Sequence, residues 1–253
     1  MLPCKGSWFN TRVCSLLKYM HEIVFILVLP SREENVGAAA RALKTMGFSA
    51  LRLVCPKCNH LGERARITAH SSNEILENAV VYDSLEAARH DISLLIGSAA
   101  KKRNVAQEYH LVENLPEIIM AKGNTVQKVG VAFGSEESGL SNEDLALCDL
   151  LSTIPMIRKH PSLNLAQAVM VYAVYLSKLN LVYARKKTRT AVKDELQVVR
   201  QKAAQVLADV GMDANVNIYP RIMERLMLLG KDDLNLFHSF CKFYLKKYHN
   251  GLK

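Results

Sequence analysis

A chain of 253 residues holds one catalytic α/β domain with a small appendage, or two modest domains. Its hydrophobic content of 49% and charged content of 23% belong to a globular protein with a real core and exclude a disordered chain. The formal charge of +9 is the unusual quantity. A cationic surface attracts polyanions through long-range fields and counterion release, so nucleic acid heads the expected partners. The most apolar stretch, Leu163 to Leu176, carries Asn164 and Gln167 and is too short and polar for a membrane span. The six cysteines are scattered, which excludes a disulfide framework. Cys55 and Cys58 have metal-ligand spacing, but no second pair completes a site; we expect no metal and a reducing, cytoplasmic setting. Residues 1–19 lack a periodic apolar pattern and read as a dispensable extension.

In chain order, Glu22 to Leu29 is a continuous apolar run rich in branched residues, as expected of a buried parallel strand. Asn35 is the expected N-cap of a helix over Val36 to Met46, and Gly47 the left-handed residue that ends it. Leu51 to Val54 is a second strand. Ser71 and Glu74 predict a capping box for a short helix ending near Ala79, followed by a strand over Val80 to Tyr82. Ser84 caps a helix through Arg89, and Ile92 to Ile96 is again a buried strand. Leu115 to Ala121 is helical up to Gly123, Val129 to Phe133 is a strand, and Ser141 with Asp144 forms a second capping box. Ser152 to Ile154 is a last short strand, and a long helix runs from about Leu163 to Tyr183. Alternating strands and helices imply a doubly wound, mostly parallel α/β sheet.

The texture changes at Ala184. A basic linker, 185–190, leads to a helical extension over 191–253, with helices over Val192 to Val210, Ile218 to Leu229 and Leu234 to Lys247. The catalytic unit is therefore placed at 20–184.

Ligands of open α/β sheets bind in the loops at the carboxyl ends of strands, and three such loops carry unusual residues. Glu34 to Arg41 opens a helix but lacks the dinucleotide fingerprint; Arg41 lies two turns into an otherwise small-residue helix. Phe133 to Ser141 has two glycines at P-loop spacing, yet Leu140 stands where the phosphate-binding lysine belongs, and Glu136 and Glu137 repel phosphate. Ile154-Pro155-Met156 precedes Pro161-Ser162-Leu163-Asn164, where Ser162 suits a helix cap and Asn164, inside the first helical turn beside free N–H groups, suits ligand contact equally well. Each loop alone also reads as ordinary surface chemistry.

Their order is more specific. Asn-x-Gly-x-x-x-Arg, then Gly-x-Glu-x-x-Gly-Leu, then Ile-Pro-Met with Ser-Leu-Asn resembles the three motifs of SpoU/TrmH-type methyltransferases of the SPOUT superfamily. The similarity is strongest to the TrmJ and LasT branch, through Pro30 to Phe48, Phe133 to Leu147 and Pro161 to Ala173, and covers nearly all of the chain after Met20. The resemblance implies a homodimer whose catalytic domain ends in a trefoil knot, a fold that topology rules alone would not propose. It implies S-adenosylmethionine held by Ser98, Ala99, Ala100, Gly134, Ile154, Ser162 and Leu163. It places Arg41 at the catalytic centre with Asn35, Glu136, Ser162 and Asn164 around it. Two departures stand out: Ser135 occupies a position that is often arginine in this branch, and Ser98-Ala99-Ala100-Lys101 replaces the usual Thr-Ser-Ala-Arg.

The implied reaction moves a methyl group to a ribose 2′-OH, of tRNA first and ribosomal RNA second. A guanidinium stays protonated, so Arg41 is expected to bind phosphate and stabilise the developing alkoxide, with Glu136 an alternative proton acceptor. Lys101 to Arg103 and Arg185 to Arg189 are expected to grip the RNA backbone. Deleting 191–253 is then expected to weaken RNA binding far more than cofactor binding. A catalytically silent knotted RNA-binding protein is the second reading. A helical DNA-binding regulator built on the last three helices is the third.

Overall fold

Six consecutive residues after Glu22 are buried in β1 (Glu22–Val28), which therefore has both faces covered and belongs at the middle of a parallel sheet. A computed structural model describes residues 21–99, 107–157, 163–183 and 195–249. In these, β1 is joined by β2 (Ala50–Val54), β3 (Val80–Tyr82), β4 (Leu94–Ser98), β5 (Tyr109–Leu111), β6 (Lys128–Phe133) and β7 (Leu150–Thr153). The order is β3-β2-β1-β6-β4-β7-β5, and every pairing is parallel. The chain first steps outward from β1 to β3, then returns to build the other half beyond β6. Loops diverge where that direction reverses, so a crevice opens at the carboxyl ends of β1 and β6. The expected doubly wound sheet is what forms. Residues 1–19, the linker 185–190, Ala100, Lys101 to Arg103 and Ser162 lie outside the described residues.

The helices around the sheet are α1 (Glu33–Thr45), α2 (Glu63–Ala69), α3 (Asn73–Glu77), α4 (Leu85–Ala88), α5 (Leu115–Ala121), α6 (Asn142–Leu147) and α7 (Leu165–Tyr183). Gly47 ends the first helical region at φ 81°, as expected. Ser84 Oγ accepts from the Ala87 N–H at 3.0 Å, and Ser141 with Asp144 forms the expected capping box. Two cap expectations are corrected. Asn35 lies inside α1, whose N-cap is Arg32, because its side chain is drawn to Glu136 instead. Ser71 caps nothing: His70 turns at φ 51°, a short 3-10 turn follows, and Glu74 pairs with Lys44 at 2.5 Å.

Two elements were absent from the sequence reading. α2 buries only the alanines Ala65 and Ala69, its Ile67 being exposed, and it packs so closely on α1 that a Cβ at Gly37 would meet Ala65 O at 2.1 Å. β5 is three half-buried residues on an edge, too short to show a period. β4 begins two residues later than expected and takes in Ser98, while β7 begins earlier, at Leu150.

The extension forms α8 (Glu195–Asp209), α9 (Tyr219–Leu228) and α10 (Lys231–His249). It is not a loose appendage. Leu196, Val199, Ala203, Met223, Leu226, Met227 and Leu234 are buried in the same apolar cluster as Val112, Leu115 and Ile119. Arg200 reaches the fully buried Asp149 carboxylate at 3.0 Å, which also accepts the Leu95 N–H at 2.7 Å. Lys122 is fully buried and donates to the Met227 and Leu229 carbonyls at the end of α9. Among the described residues, no helix is long and apolar enough to cross a membrane.

Candidate functional site

The chain leaves β1 through Leu29, whose φ of 54° is uncommon for a branched residue and costs about 1–2 kcal/mol. Its N–H donates to Val54 O at 2.8 Å, and the turn aims Ser31 and the start of α1 across the crevice toward β6. At the end of β6, Gly134 begins a loop folded tightly on itself. A Cβ at Gly134 would lie 1.9 Å from Gly139 C and 2.0 Å from Leu140 N, so no side chain fits. The Gly139 N–H closes the loop onto Ser135 O at 2.9 Å, and Gly139 takes the left-handed φ of +71° that glycine tolerates. Ser135 Oγ meets Ser138 Oγ at 2.9 Å, so the serine that replaces an expected arginine is used inside the loop.

Glu136 links the two halves. Its Oε1 accepts from Asn35 Nδ2 at 2.8 Å, and its Oε2 accepts from Ser31 N–H at 3.1 Å and Ser31 Oγ–H at 2.9 Å. Burial alone would push this carboxyl up, but donation from Asn35, from its own backbone N–H and from Ser31 outweighs it and holds the carboxyl below its ordinary value. A carboxylate stabilised in this way is an anchor, and a poor proton acceptor.

Beside this loop is a cavity of about 200 Å³. Ser98 and Ala99, Gly134 to Leu140, and Leu163 to Leu165 line it, with Phe133, Leu145 and Ala168 completing the wall. The Ala99 N–H is tied to Ser152 O at 2.9 Å, which fixes the β4 side. Below, Phe133 stacks edge-on against Tyr172 with centroids 5.1 Å apart. Burial pushes the Tyr172 phenol up to about 12, against the opposing pull of the Ser152 and Ser98 hydroxyls. On the third side Asn164 serves as the N-cap of α7: Asn164 Oδ1 accepts from Gln167 N–H at 2.7 Å, and Gln167 Oε1 accepts from Asn164 N–H at 3.1 Å. The cap expected of Ser162 is thus made two residues later.

Of the expected cofactor residues, Ser98, Ala99, Gly134 and Leu163 line the cavity; Ile154 packs against the main apolar cluster instead. Ala100 and Ser162 lie outside the described residues. Of the expected catalytic set, Glu136 and Asn164 line the cavity and Asn35 reaches it through Glu136. Arg41 does not. It is exposed on α1, and six residues past Asn35 it points to a different face of the helix. Ser31 was missed, since a serine after a proline carries no signal of its partner 105 residues away.

The cavity suits an adenosyl group carrying a cationic sulfonium. Its walls combine small and aliphatic side chains with Phe133 and Asn164, strand-end backbone groups supply polar edges, and Glu136 and Glu137 are among the residues that line it. Among the described residues, no three His, Cys, Asp or Glu side chains cluster as a metal site requires.

Comparison with known proteins places these features in a family. The model of the SpoU rRNA Methylase family matches residues 22–174, and that of the tRNA/rRNA methyltransferase LasT C-terminal domain matches 193–248. The chain is 38% identical over 216 residues to the uncharacterized tRNA/rRNA methyltransferase LasT of Escherichia coli (strain K12), covering 85% of this chain and 94% of that protein. It is 30% identical over 235 residues to the tRNA (cytidine-2'-O-)-methyltransferase TrmJ of Methanocaldococcus jannaschii, covering 86% of this chain and 98% of that protein. A probable methylase family protein from Haemophilus influenzae Rd KW20 has a similar structure, with a TM-score of 0.62 and 30% identity over 92% of this chain and 99% of its own.

Proposed function

Because the chain belongs to the SpoU rRNA Methylase family and is an S-adenosylmethionine-dependent RNA methyltransferase, we propose that it methylates a ribose 2′-OH of tRNA from a cofactor seated in the cavity between β4, β6 and α7. The observation that carries the site assignment is the Gly134 loop, where backbone closes on backbone beside a wall of Ser98, Ala99 and Leu163. When bound, the cofactor supplies an activated methyl on a cationic sulfonium and needs alignment rather than covalent help.

The chain's own residues divide that work. Glu136, fixed by Ser31 and Asn35, holds the first and second motif loops together and presents negative charge at the rim. Asn164, whose oxygen caps α7, stands at the cavity wall with amide N–H groups suited to a ligand oxygen. Arg41 is the group we assign to the RNA, binding phosphate and stabilising the alkoxide as the 2′-OH proton leaves. Arg41 does not line the cavity of its own chain, so this reading includes a homodimer in which Arg41 of the partner subunit completes the site. It also includes the trefoil knot that the family resemblance implies, with β7 placed between β4 and β5 in the sheet. A cytoplasmic location belongs to the same reading.

Transfer RNA is favoured over ribosomal RNA by the likeness to the tRNA-directed TrmJ relative. The test is to supply labelled S-adenosylmethionine with unmodified tRNA or ribosomal RNA and map the 2′-O-methyl groups. Methylation of tRNA at discrete riboses is expected. Methylation of ribosomal RNA alone would move the substrate, and binding of both cofactor and RNA without turnover would leave a silent RNA-binding protein.

A further inference from the structure

Phe133, Ser98 and Ser152 lie side by side across the sheet. Ser98 at the end of β4 is in register with Phe133 of β6 on one side and with Ser152 of β7 on the other. Register partners in a parallel sheet point to the same face. That face is the one α7 covers: the Tyr172 ring meets Phe133 edge-on with centroids 5.1 Å apart. Leu165, Ala168 and Tyr172 fall on one stripe of α7. Ser98, Phe133, Leu165 and Ala168 all line the cavity. Tyr172 is fully buried behind them.

A tyrosine in this place is costly. Tyr172 Oη and Ser152 Oγ are both buried, and among the described residues neither makes a hydrogen bond. The Ser152 and Ser98 hydroxyls are near enough to draw the phenol down, but burial outweighs them and leaves it at about 12. A buried hydroxyl without a partner destabilises the fold, and phenylalanine would fill the same space without that cost. Two such hydroxyls beside one row of the sheet therefore call for a functional explanation. Of the three hydroxyl residues only Ser98 lines the cavity. A serine hydroxyl has one proton to give and two lone pairs to offer. Once Ser98 gives its proton to a ligand, its lone pairs are left for the O–H groups of Tyr172 and Ser152. A chain of hydrogen bonds built in this way strengthens each of its links.

We propose that Tyr172 is a positioning residue for the cofactor: with Ser152 it turns the Ser98 O–H toward an acceptor atom of S-adenosylmethionine, and the chain of hydroxyls closes when the cofactor is in place. This rests on the assignment of the cofactor to that cavity.

The test is S-adenosylhomocysteine binding by calorimetry, with thermal melting on the same samples of the full chain. Tyr172→Phe removes only the hydroxyl. It is expected to weaken binding about threefold to tenfold, the scale of one lost neutral hydrogen bond, while Tm stays level or rises. Ser152→Ala should behave alike. In a Ser98→Ala background, Tyr172→Phe should change affinity no further, because the link through Ser98 is already gone. Ser93→Ala is the control: Ser93 Oγ, ahead of β4, accepts the Gln127 and Lys128 N–H groups at 3.3 Å each. Its loss should lower Tm and leave affinity within about twofold. Unchanged affinity in Tyr172→Phe would overturn the proposal. So would a loss of affinity matched by a loss of Tm, which marks a packing role, or a full further loss in the Ser98→Ala background. Hydrogen exchange of the wild-type chain with and without S-adenosylhomocysteine separates the two readings, with protection expected at 98–99 and 134–140. Protection elsewhere overturns the cavity assignment and this proposal with it. Protection there with unchanged affinity in Tyr172→Phe overturns this proposal alone.

Discussion

Glu136 accepts a hydrogen bond from Asn35 at 2.8 Å across the point where the strand order of the sheet reverses. The two residues belong to different motifs, 101 positions apart: Asn35 is in the first turn of the helix that follows β1, and Glu136 is on the loop that follows the neighbouring strand β6. Loops at such a reversal separate unless something spans them, so this bond and the two from Ser31 keep the crevice at one width. The carboxylate is thereby committed to structure within the site, which leaves Arg41 as the residue assigned to the RNA.

Breaking that bond should act on the site more than on the fold. Asn35→Ala and Glu136→Ala are each expected to cost about 1–3 kcal/mol of stability and to lower methyl transfer by at least about tenfold, with the double variant little worse than either single. The pH dependence has a definite sign. The Glu136 carboxyl lies below its ordinary value in the folded chain, so its contribution is present above the unfolded value of about 4.3 and is lost as pH falls below it. Melting of wild type and Glu136→Gln from pH 7 down to pH 3 checks this. A Tm gap that widens on acidification would contradict the assignment.

How much of this was legible beforehand depended on whether the partner was near in sequence. The Ser141–Asp144 box and the Ser84 cap are local and follow from residue type. So does the buried character of β1. Asn35 looked like a cap by the same local logic, and the prediction failed because a carboxylate from a distant loop competed for its side chain. Ser98, Gly134, Leu163 and Asn164, singled out through the motif resemblance, line one cavity. The resemblance said nothing of Ser31, whose partner is brought to it only by the strand order.

Arg41 should be separable from the fold. It is exposed, and among the described residues its guanidinium has no hydrogen bond or ion pair. Arg41→Ala is therefore expected to change stability by no more than about 0.5 kcal/mol and to leave S-adenosylhomocysteine affinity unchanged while removing methyl transfer. Arg41→Lys keeps the charge but not the planar fork and should recover only a small part. Near wild-type turnover in either variant would remove Arg41 from the mechanism.

Lys122 should make docking of the extension depend on pH. Burial pushes its amine from 10.5 down to about 7, while the two carbonyls at the end of α9 favour the ammonium. A lowered lysine value in the folded state means that folding opposes protonation. The penalty is full below about 7, shrinks as pH rises through the alkaline range, and is absent above 10.5. The Tm of wild type should thus gain on that of Lys122→Met between about pH 7 and 10 and run parallel to it below. A difference that is flat across this range would show that the carbonyls hold the ammonium as firmly as water does.

Removing the extension tests whether it is an RNA-binding appendage or part of the core. As a basic appendage joined by a linker, residues 191–253 would be dispensable for folding, and their loss would weaken RNA binding alone. The packing points elsewhere. Seven of its apolar side chains, from Leu196 to Leu234, are buried in the cluster that also contains Val112, Leu115 and Ile119. Burying each of the six larger ones contributes on the order of 1.5–3 kcal/mol, so their sum rivals the roughly 5–15 kcal/mol by which a domain is stable at all. Truncation would also take Arg200 from the buried Asp149 carboxylate, which among the described residues would keep only Arg89 at 3.4 Å and the Leu95 N–H. It would leave Lys122 facing solvent where α9 ended. The truncated chain is therefore expected to aggregate or to melt far below the full chain, and to lose S-adenosylhomocysteine binding along with RNA binding. Circular dichroism and size-exclusion chromatography of residues 1–190, with calorimetry of whatever remains soluble, measure this. A monodisperse truncated protein that binds S-adenosylhomocysteine at wild-type affinity would return the extension to the role of an appendage.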